Sequence, residues 1–239
     1  MPLAQAPCEA GSGKRGRPEE GNVASRSMTK GAKSRERILE AVIEAVAARG
    51  LADLSVADIG AAAGMSAGHV MYYFATKDTL FVEALRYSEG LLDNDRARLL
   101  SRTAIPAKLL HDYIALYLPT STRDARWSLW LEVWNRSLIH PELSSIQLEL
   151  DARWHHDLES IVRSGIASSS FVVTDIGAAV ETISSLLDGL AVRMLTGTPG
   201  LDRRHAIRLA TSASQTLLGC AEDSAHTTSS RGGVASERG

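Results

Sequence analysis

The chain has only two cysteines, Cys8 and Cys220, one near each end of its 239 residues. No Cys-x-x-Cys or Cys-x-His spacing occurs, which argues against a disulfide framework and a zinc site and fits a reducing compartment. A positive charge balance is missing as well. The 26 Lys and Arg against 28 Asp and Glu leave a formal charge of -2, so any nucleic-acid contact must rest on a local cluster of cations. No window approaches the ~18 uninterrupted apolar residues of a membrane helix. No long apolar core follows the first positive charges, as a secretory leader would require. A cytoplasmic protein is expected. There is no nucleophile–base–orienter set and no glycine loop to cradle a phosphate, so the chain does not read as an enzyme. The adjacent His155 and His156 point about 100° apart on a helix and cannot readily share one ion. No metal and no cofactor are expected.

No stretch alternates with strand period for long enough to build a sheet, while helical spacing recurs throughout. This predicts an all-α protein of about nine helices. Residues 1–31, with a basic knot at Lys14-Arg15-Gly16-Arg17, are rich in Gly, Ala, Ser, Pro and charge. They and the tail 222–239 cannot bury enough apolar surface to offset their ordering entropy, so both are expected to be disordered. Met28 is a possible alternative start. Ile38, Val42, Ala45 and Val46 follow a helical period that Gly50 stops. Leu80, Ala84, Tyr87 and Leu91 share a face further on. Pro106, Pro119, His140-Pro141 and the Ser-rich 164–174 segment divide the remainder. Its last two helices lie near Thr174–Thr196 and Asp202–Cys220.

Between Ser55 and Phe74 the pattern is tighter. Ser55 can cap a short helix, Val56 to Ala63, with Asp58 near its positive end. Gly64-Met65-Ser66 breaks it, and Ser66 caps a second helix running to about Phe74. Thr76 caps the next. The small Ala61, Ala62 and Ala63 are expected to let the first two cross closely. Two capped short helices around a glycine turn describe a helix-turn-helix.

The residues themselves say more. RERILEAVIEAVAARG followed by LSVADIGAAAGMSAGHVMYYFATKDTLF resembles the DNA-binding domain of TetR-family transcriptional regulators, most specifically in DIGAAAGMSAG, YYF and Lys77. The resemblance implies a DNA-binding domain over 32–76, with Ala67 to Tyr73 as a recognition helix in a major groove. It implies that Ser55 and Ser66, at helix N-termini, face phosphates, and that Gly68 permits close approach. It gives His69 a base contact, Tyr72 and Tyr73 contacts to the sugar-phosphate backbone, and Lys77 a phosphate. Phe74 reads as core, and Tyr73 reads equally well as packing. Met71 stands where many members carry a tyrosine, and Ala57 replaces a frequently polar residue, so the operator sequence is not legible.

A second resemblance covers RWSLWLEVWNRSLIHPEL and LLDGLAVRMLTG, which look like the C-terminal domain of the choline-responsive repressors of betaine synthesis. It implies an effector-binding and dimerisation domain over 77–221. Trp127, Trp130, Leu131 and Trp134 share one helical face. That stripe reads either as core or as an apolar pocket whose indoles meet a flat or cationic effector, with Trp154 facing them. Asp188 interrupts an apolar helix and is either a structural hydrogen-bonding group or an effector contact. Ala191 stands where relatives carry an aromatic, which counts against choline itself. Ile183, Leu187, Leu190, Ile207, Ala210, Ser214 and Leu217 fall on the last two helices, which in the family form a four-helix dimer interface. Ala206, Ala210, Ala213 and Ser214 allow close helix approach. The expectation is a homodimeric, ligand-released repressor bound to a palindromic double-stranded operator. The alternative is a helical small-molecule-binding or interaction protein without specific operator binding.

Overall fold

The computed structural model describes residues 30–51, 54–102, 104–140 and 143–219. Cys8, Cys220, the basic knot, Met28, Pro141 and the segment 222–239 lie outside the described residues. Among those described there are ten α-helices and no strand. The first, α1 (Lys30–Arg49), already includes Lys30 and Gly31, which the composition had placed in a disordered arm. It buries Ile38, Leu39, Ala41, Val42, Ala45 and Val46 along one stripe and ends at Gly50, whose φ of +77° stops the helix without strain.

Helices α2 (Val56–Ala62) and α3 (Ala67–Phe74) follow as a capped pair. Ser55 and Asp58 form a reciprocal capping box on α2, and the Ser66 hydroxyl accepts from His69 N at 3.1 Å on α3. The residue that lets the two helices meet is Gly60. A Cβ there would sit 2.8 Å from the Met65 carbonyl oxygen. Ala61 and Ala62, expected to line the crossing, are exposed instead, and only Ala63 is buried. The seven-residue helix turns its Gly60 side toward α3, a rotation that three consecutive alanines cannot reveal. Gly64 makes the turn at φ +67°. Arg37 of α1 donates to the Ala63 carbonyl at 2.5 Å, fixing the turn from outside.

Helix α4 (Lys77–Gly90) packs against α1, α3, α7 (Ala125–Ser137) and α8 (Ser144–Ala167). Leu91, assigned by period to its apolar face, is its C-cap and is exposed, because the chain turns there into α5 (Asp93–Leu100). Helix α8 runs on through Ser164 to Ala167, so the serine-rich break begins only at Ser168. Pro106 opens α6 (Pro106–Tyr117), where a missing N–H costs nothing. Helices α9 (Ile176–Leu195) and α10 (Arg203–Leu217) close the chain, capped by Asp175 and Asp202. Arg203 donates to the Pro119 carbonyl at 3.1 Å and the Ala115 carbonyl at 2.5 Å, pinning α10 to the end of α6. Ala206, Ala210 and Ser214 are buried where α10 packs on α9 and α6.

Gly60→Ala should therefore lower stability by about 1–3 kcal/mol, the usual cost of overpacking. Gly68→Ala should not, since only the Ser66 hydroxyl lies within 4.0 Å of a Cβ there. Paired urea melts of the two variants measure the difference.

Candidate nucleic-acid interface and aromatic cage

Helix α3 divides cleanly into two faces. Val70 and Phe74 are buried, while Gly68, His69 and Tyr72 point outward, Tyr72 with 82% of its surface exposed. An aromatic that exposed contributes little to the core. Tyr73 is half-buried, its ring stacked on His69 at 5.4 Å and edge-on to Tyr72 at 5.3 Å. The three rings hold one another in place. Ala67 and Met71 are half-buried flanks of the same helix. Lys77 opens the next helix, its ammonium 5.3 Å from the centre of the Phe81 ring.

The N-caps are not equivalent. The Ser66 hydroxyl accepts one bond and keeps its own proton to donate elsewhere. Ser55 is spent within the chain: its N–H donates to Asp58 at 3.0 Å and its hydroxyl bonds the same carboxylate. Those two bonds hold the Asp58 carboxyl below its ordinary pKa, with Arg49 adding a smaller effect. An anion fixed at this cap argues against the phosphate contact expected of Ser55. Two cations escaped the sequence reading. Lys30 and Lys33 are exposed on the first turns of α1, and a side chain at Gly31 between them would begin 4.0 Å from the Tyr73 hydroxyl. Lys30 was hidden because the arm's composition extended over the helix start, while Lys33, inside the domain, lies outside the matching motifs.

A second constellation lies where α4, α6, α7 and α8 converge. Trp127, Trp130 and Trp154 are buried and Trp134 is half-buried. With Tyr117, Arg126 and Asp151 they line a closed gap too tight here for a water molecule. Trp134 lies 5.8 Å from Trp130 and 6.1 Å from Trp127, ring centre to ring centre. Tyr117 stands edge-on to Trp127 at 5.5 Å and to Trp154 at 5.0 Å. The tryptophan stripe is thus both core and cage wall.

Glu89 organises this cage and was not foreseen. It is fully buried, and its carboxylate accepts from Trp130 Nε1 at 2.7 Å, Trp154 Nε1 at 2.8 Å and Arg126 at 3.3 Å. One signal was available: Phe81, Leu85 and Glu89 fall at i, i+4, i+8, which puts an acid on the apolar stripe of α4. Arg126 and Trp127 Nε1 both donate to the Tyr117 carbonyl, at 2.5 and 2.9 Å.

Asp188 does not line the gap. Its carboxylate accepts the Tyr117 hydroxyl at 2.6 Å, so it holds that ring from behind. Burial pushes its carboxyl up and the Tyr117 phenol well above 10. Ala191 is buried and does not line the gap either. Asp151 does. Burial, with a smaller contribution from the Asp188 charge, pushes its carboxyl up to about 6. His155, next on α8, bonds the Asp151 carbonyl and pairs with Glu181 at 3.4 Å.

The expected dimer residues need correction. Ile183, Leu187, Leu190, Ala210 and Ser214 are buried within the chain, because α9 and α10 turn these positions toward α6, α7 and α8. Ile207 is half-buried, and Leu217 is exposed. The outward groove of the two helices has Ile183 and Ser214 of that set at its floor and Leu217 on its wall, and it is completed by Thr182, Leu186, Ala213 and Thr216, with Leu209 exposed on α10.

The raised pKa of Asp151 has a thermodynamic consequence. A folded value near 6 above an ordinary 3.8 means that the native state binds the proton more tightly. The resulting stabilisation is full below about pH 4 and is lost as the pH rises to about 6. Asp151→Asn should accordingly melt higher than the native chain at pH 7.5, with the gap closing at pH 4. Thermal unfolding at the two pH values checks this.

Comparison with known proteins bears on both halves of the chain. Residues 38–84 match the family model described as bacterial regulatory proteins of the tetR family, and residues 106–219 match the BetI-type transcriptional repressor C-terminal model. The HTH-type transcriptional regulator BetI of Cronobacter sakazakii is 27% identical, the match covering 69% of this chain and 81% of that protein. Its namesake in Pectobacterium carotovorum is also 27% identical, over 74% and 89%. A putative transcriptional regulator from Saccharomonospora viridis, solved in complex with choline, superposes with a TM-score of 0.69 at 28% identity, covering 75% of this chain and 94% of that one. No helix among the described residues is long and apolar enough to cross a membrane. A helix-turn-helix that exposes its recognition face, joined to a helical domain of matching type, places the chain in the TetR family of transcriptional regulators with a BetI-type C-terminal domain.

Proposed function

We propose that this regulator binds a palindromic operator as a homodimer and is released from it by a small alkylammonium effector. The observation that carries this is the pairing of two features on one helix relay. Helix α3 offers Gly68, His69 and Tyr72 to a groove, flanked by Ser66, Lys77, Lys30 and Lys33 for phosphates. Behind it, an enclosed aromatic cage with acids in and near its wall fits the chemistry of a quaternary ammonium group, because aromatic faces attract such cations. The choline held by the Saccharomonospora viridis neighbour supports that class. Since Ala191 stays out of the wall, it no longer counts against choline. The division at residue 76 between a DNA-binding part and an effector-binding part follows the same functional split.

The two parts share a mechanical link. Helix α7 carries three of the cage tryptophans, and near its end Arg136 pairs with Asp78 in the first turn of α4, beside Lys77. Arg136 also lies 5.1 Å from the centre of the Phe81 ring that Lys77 covers. An effector that opens the closed cage must shift α7, and that shift reaches the turn that presents Lys77. Release follows if the bound conformation sets the two recognition helices at a spacing the operator does not match.

For dimerisation, the outward groove of α9 and α10 keeps Leu217, Ile183 and Ser214 of the expected set, adds Leu186, Ala213 and Leu209, and leaves the inward-facing Leu187, Leu190 and Ala210 to the core. Leu217→Glu should give monomers in sedimentation and abolish operator binding, because one short recognition helix makes too few contacts alone. An intact dimer would remove this face from the assignment.

Gel shifts on the DNA upstream of the protein's own gene test the reading directly. Lys77→Ala should weaken binding about equally on all sequences and flatten the salt dependence by roughly one unit of slope. His69→Ala should instead relax preference at one or two operator positions and leave the slope unchanged. Absence of any sequence-specific shift would favour a binding protein without an operator.

A further inference from the structure

The charges of the cage are matched unequally. Arg126 lies over Trp127 at 5.4 Å and Trp154 at 5.7 Å, and Glu89 neutralises it at 3.3 Å. Arg96 lies over Trp154 at 4.7 Å and bonds Asp157 at 2.7 Å. Trp154 thus already has two guanidinium groups of the chain itself as partners, and each of those brings its own acid. Asp151 is different. It sits in the cage wall one turn before Trp154, and among the described residues no cationic side chain forms an ion pair with it. Among the described residues its side chain takes one hydrogen bond, from Gln147 Nε2 at 3.5 Å, the outer limit of such a bond. The His155 imidazole one turn on, itself paired with Glu181, favours the charged form of Asp151 only from a distance. Asp188, the acid first considered for an effector contact, is engaged by Tyr117 outside the wall.

An acid half-buried among indoles without a cation is stabilised by any positive charge that enters. The rings of Trp130 and Trp134, inclined at 50° to each other, supply apolar surface in the same wall. Resting on the alkylammonium reading above, we propose that Asp151 is the counter-charge that makes the cage select a small monocation over a neutral molecule of the same shape, while Arg126 and Glu89 remain paired with each other. The effector brings one positive charge and needs one free carboxylate. Asp151 is the carboxylate the cage keeps free.

The test compares choline with 3,3-dimethylbutan-1-ol, which has the same shape with carbon in place of the charged nitrogen, by calorimetric titration of the full-length protein at pH 7.5. The native chain should prefer choline by roughly tenfold or more, the counterpart of the one-unit or larger effect a nearby opposite charge has on a carboxyl. Asp151→Asn keeps the shape and loses the charge. It should bring the preference close to one, with operator binding and a cooperative melt showing that the fold is intact. Asp188→Asn should keep the preference. If Asp151→Asn discriminates as the native chain does, the assignment is overturned while the alkylammonium reading stands. If the loss appears in Asp188→Asn instead, the counter-charge is Asp188. A native chain that binds neither choline nor tetramethylammonium removes the alkylammonium reading itself, and this assignment with it. Should Asp151→Asn fail to fold, Asp151→Glu retains the charge and must retain the preference, and its loss there also overturns the assignment.

Discussion

The carboxylate of Glu89 is the constraint on which the packing of α4, α7 and α8 depends. It lies fully buried at the end of α4 and collects donors from α7 and α8 through Trp130, Arg126 and Trp154. A buried charge is costly unless every lone pair finds a partner, so its three donors are fixed as firmly as the acid itself. Removing one member of such a set typically costs about 3–5 kcal/mol, since the rest remain buried and unmatched. The network therefore sets where α7 and α8 sit relative to α4, and with them the shape of the aromatic gap. The same helix that carries this anchor begins at Lys77, where the DNA-facing surface ends.

One helix thus joins the two parts, and at both of its ends an acid of α4 receives an arginine of α7. At the cage end the acid belongs to α4 and the cations and indoles come from elsewhere. At the other end Asp78 of α4 receives Arg136 from α7. Helix α7 touches α4 at both points, so it cannot tilt without loading one of the two contacts. Surface ion pairs contribute little stability on their own, and the value of the Arg136–Asp78 pair lies in position rather than strength. Tyr87 adds a third tie by donating to Glu40 at 3.2 Å and Glu36 at 3.4 Å on α1; burial first, then those acids, push its phenol up to about 12.

The contrast between the cage acids shows how burial and partnership separate chemically identical groups. Glu89 has three donors and acts as structure. Asp188 takes one strong bond from Tyr117 and acts on a wall residue. Asp151, with a single marginal bond, is left able to respond to what enters. Sequence puts Glu89 on the apolar stripe of α4 but does not say which donors each of the three acids meets.

What the sequence determined by itself was local. The caps at Ser55, Ser66 and Thr76, the turn at Gly64 and the stop at Gly50 each involve groups within about four residues, so the chain around them suffices. The all-α class follows from the same short-range periodicity, whereas the outward residues of α3 came from the family resemblance. The sequence motifs also carried the family. What only the tertiary structure decided concerns the rotation of each helix about its axis and the partners it meets far along the chain. Ile183, Leu187, Leu190, Ala210 and Ser214 form apolar or small-residue stripes that suit a protomer core and a dimer face equally well, and only the packing of α9 and α10 on α6, α7 and α8 turned them inward. Glu89 meets Arg126, Trp130 and Trp154 across 37, 41 and 65 residues, and Tyr117 meets Asp188 across 71. Helical periodicity says which residues share a face; it carries no information about which face of another helix will lie against it, and that choice is made by the collective burial of the whole core.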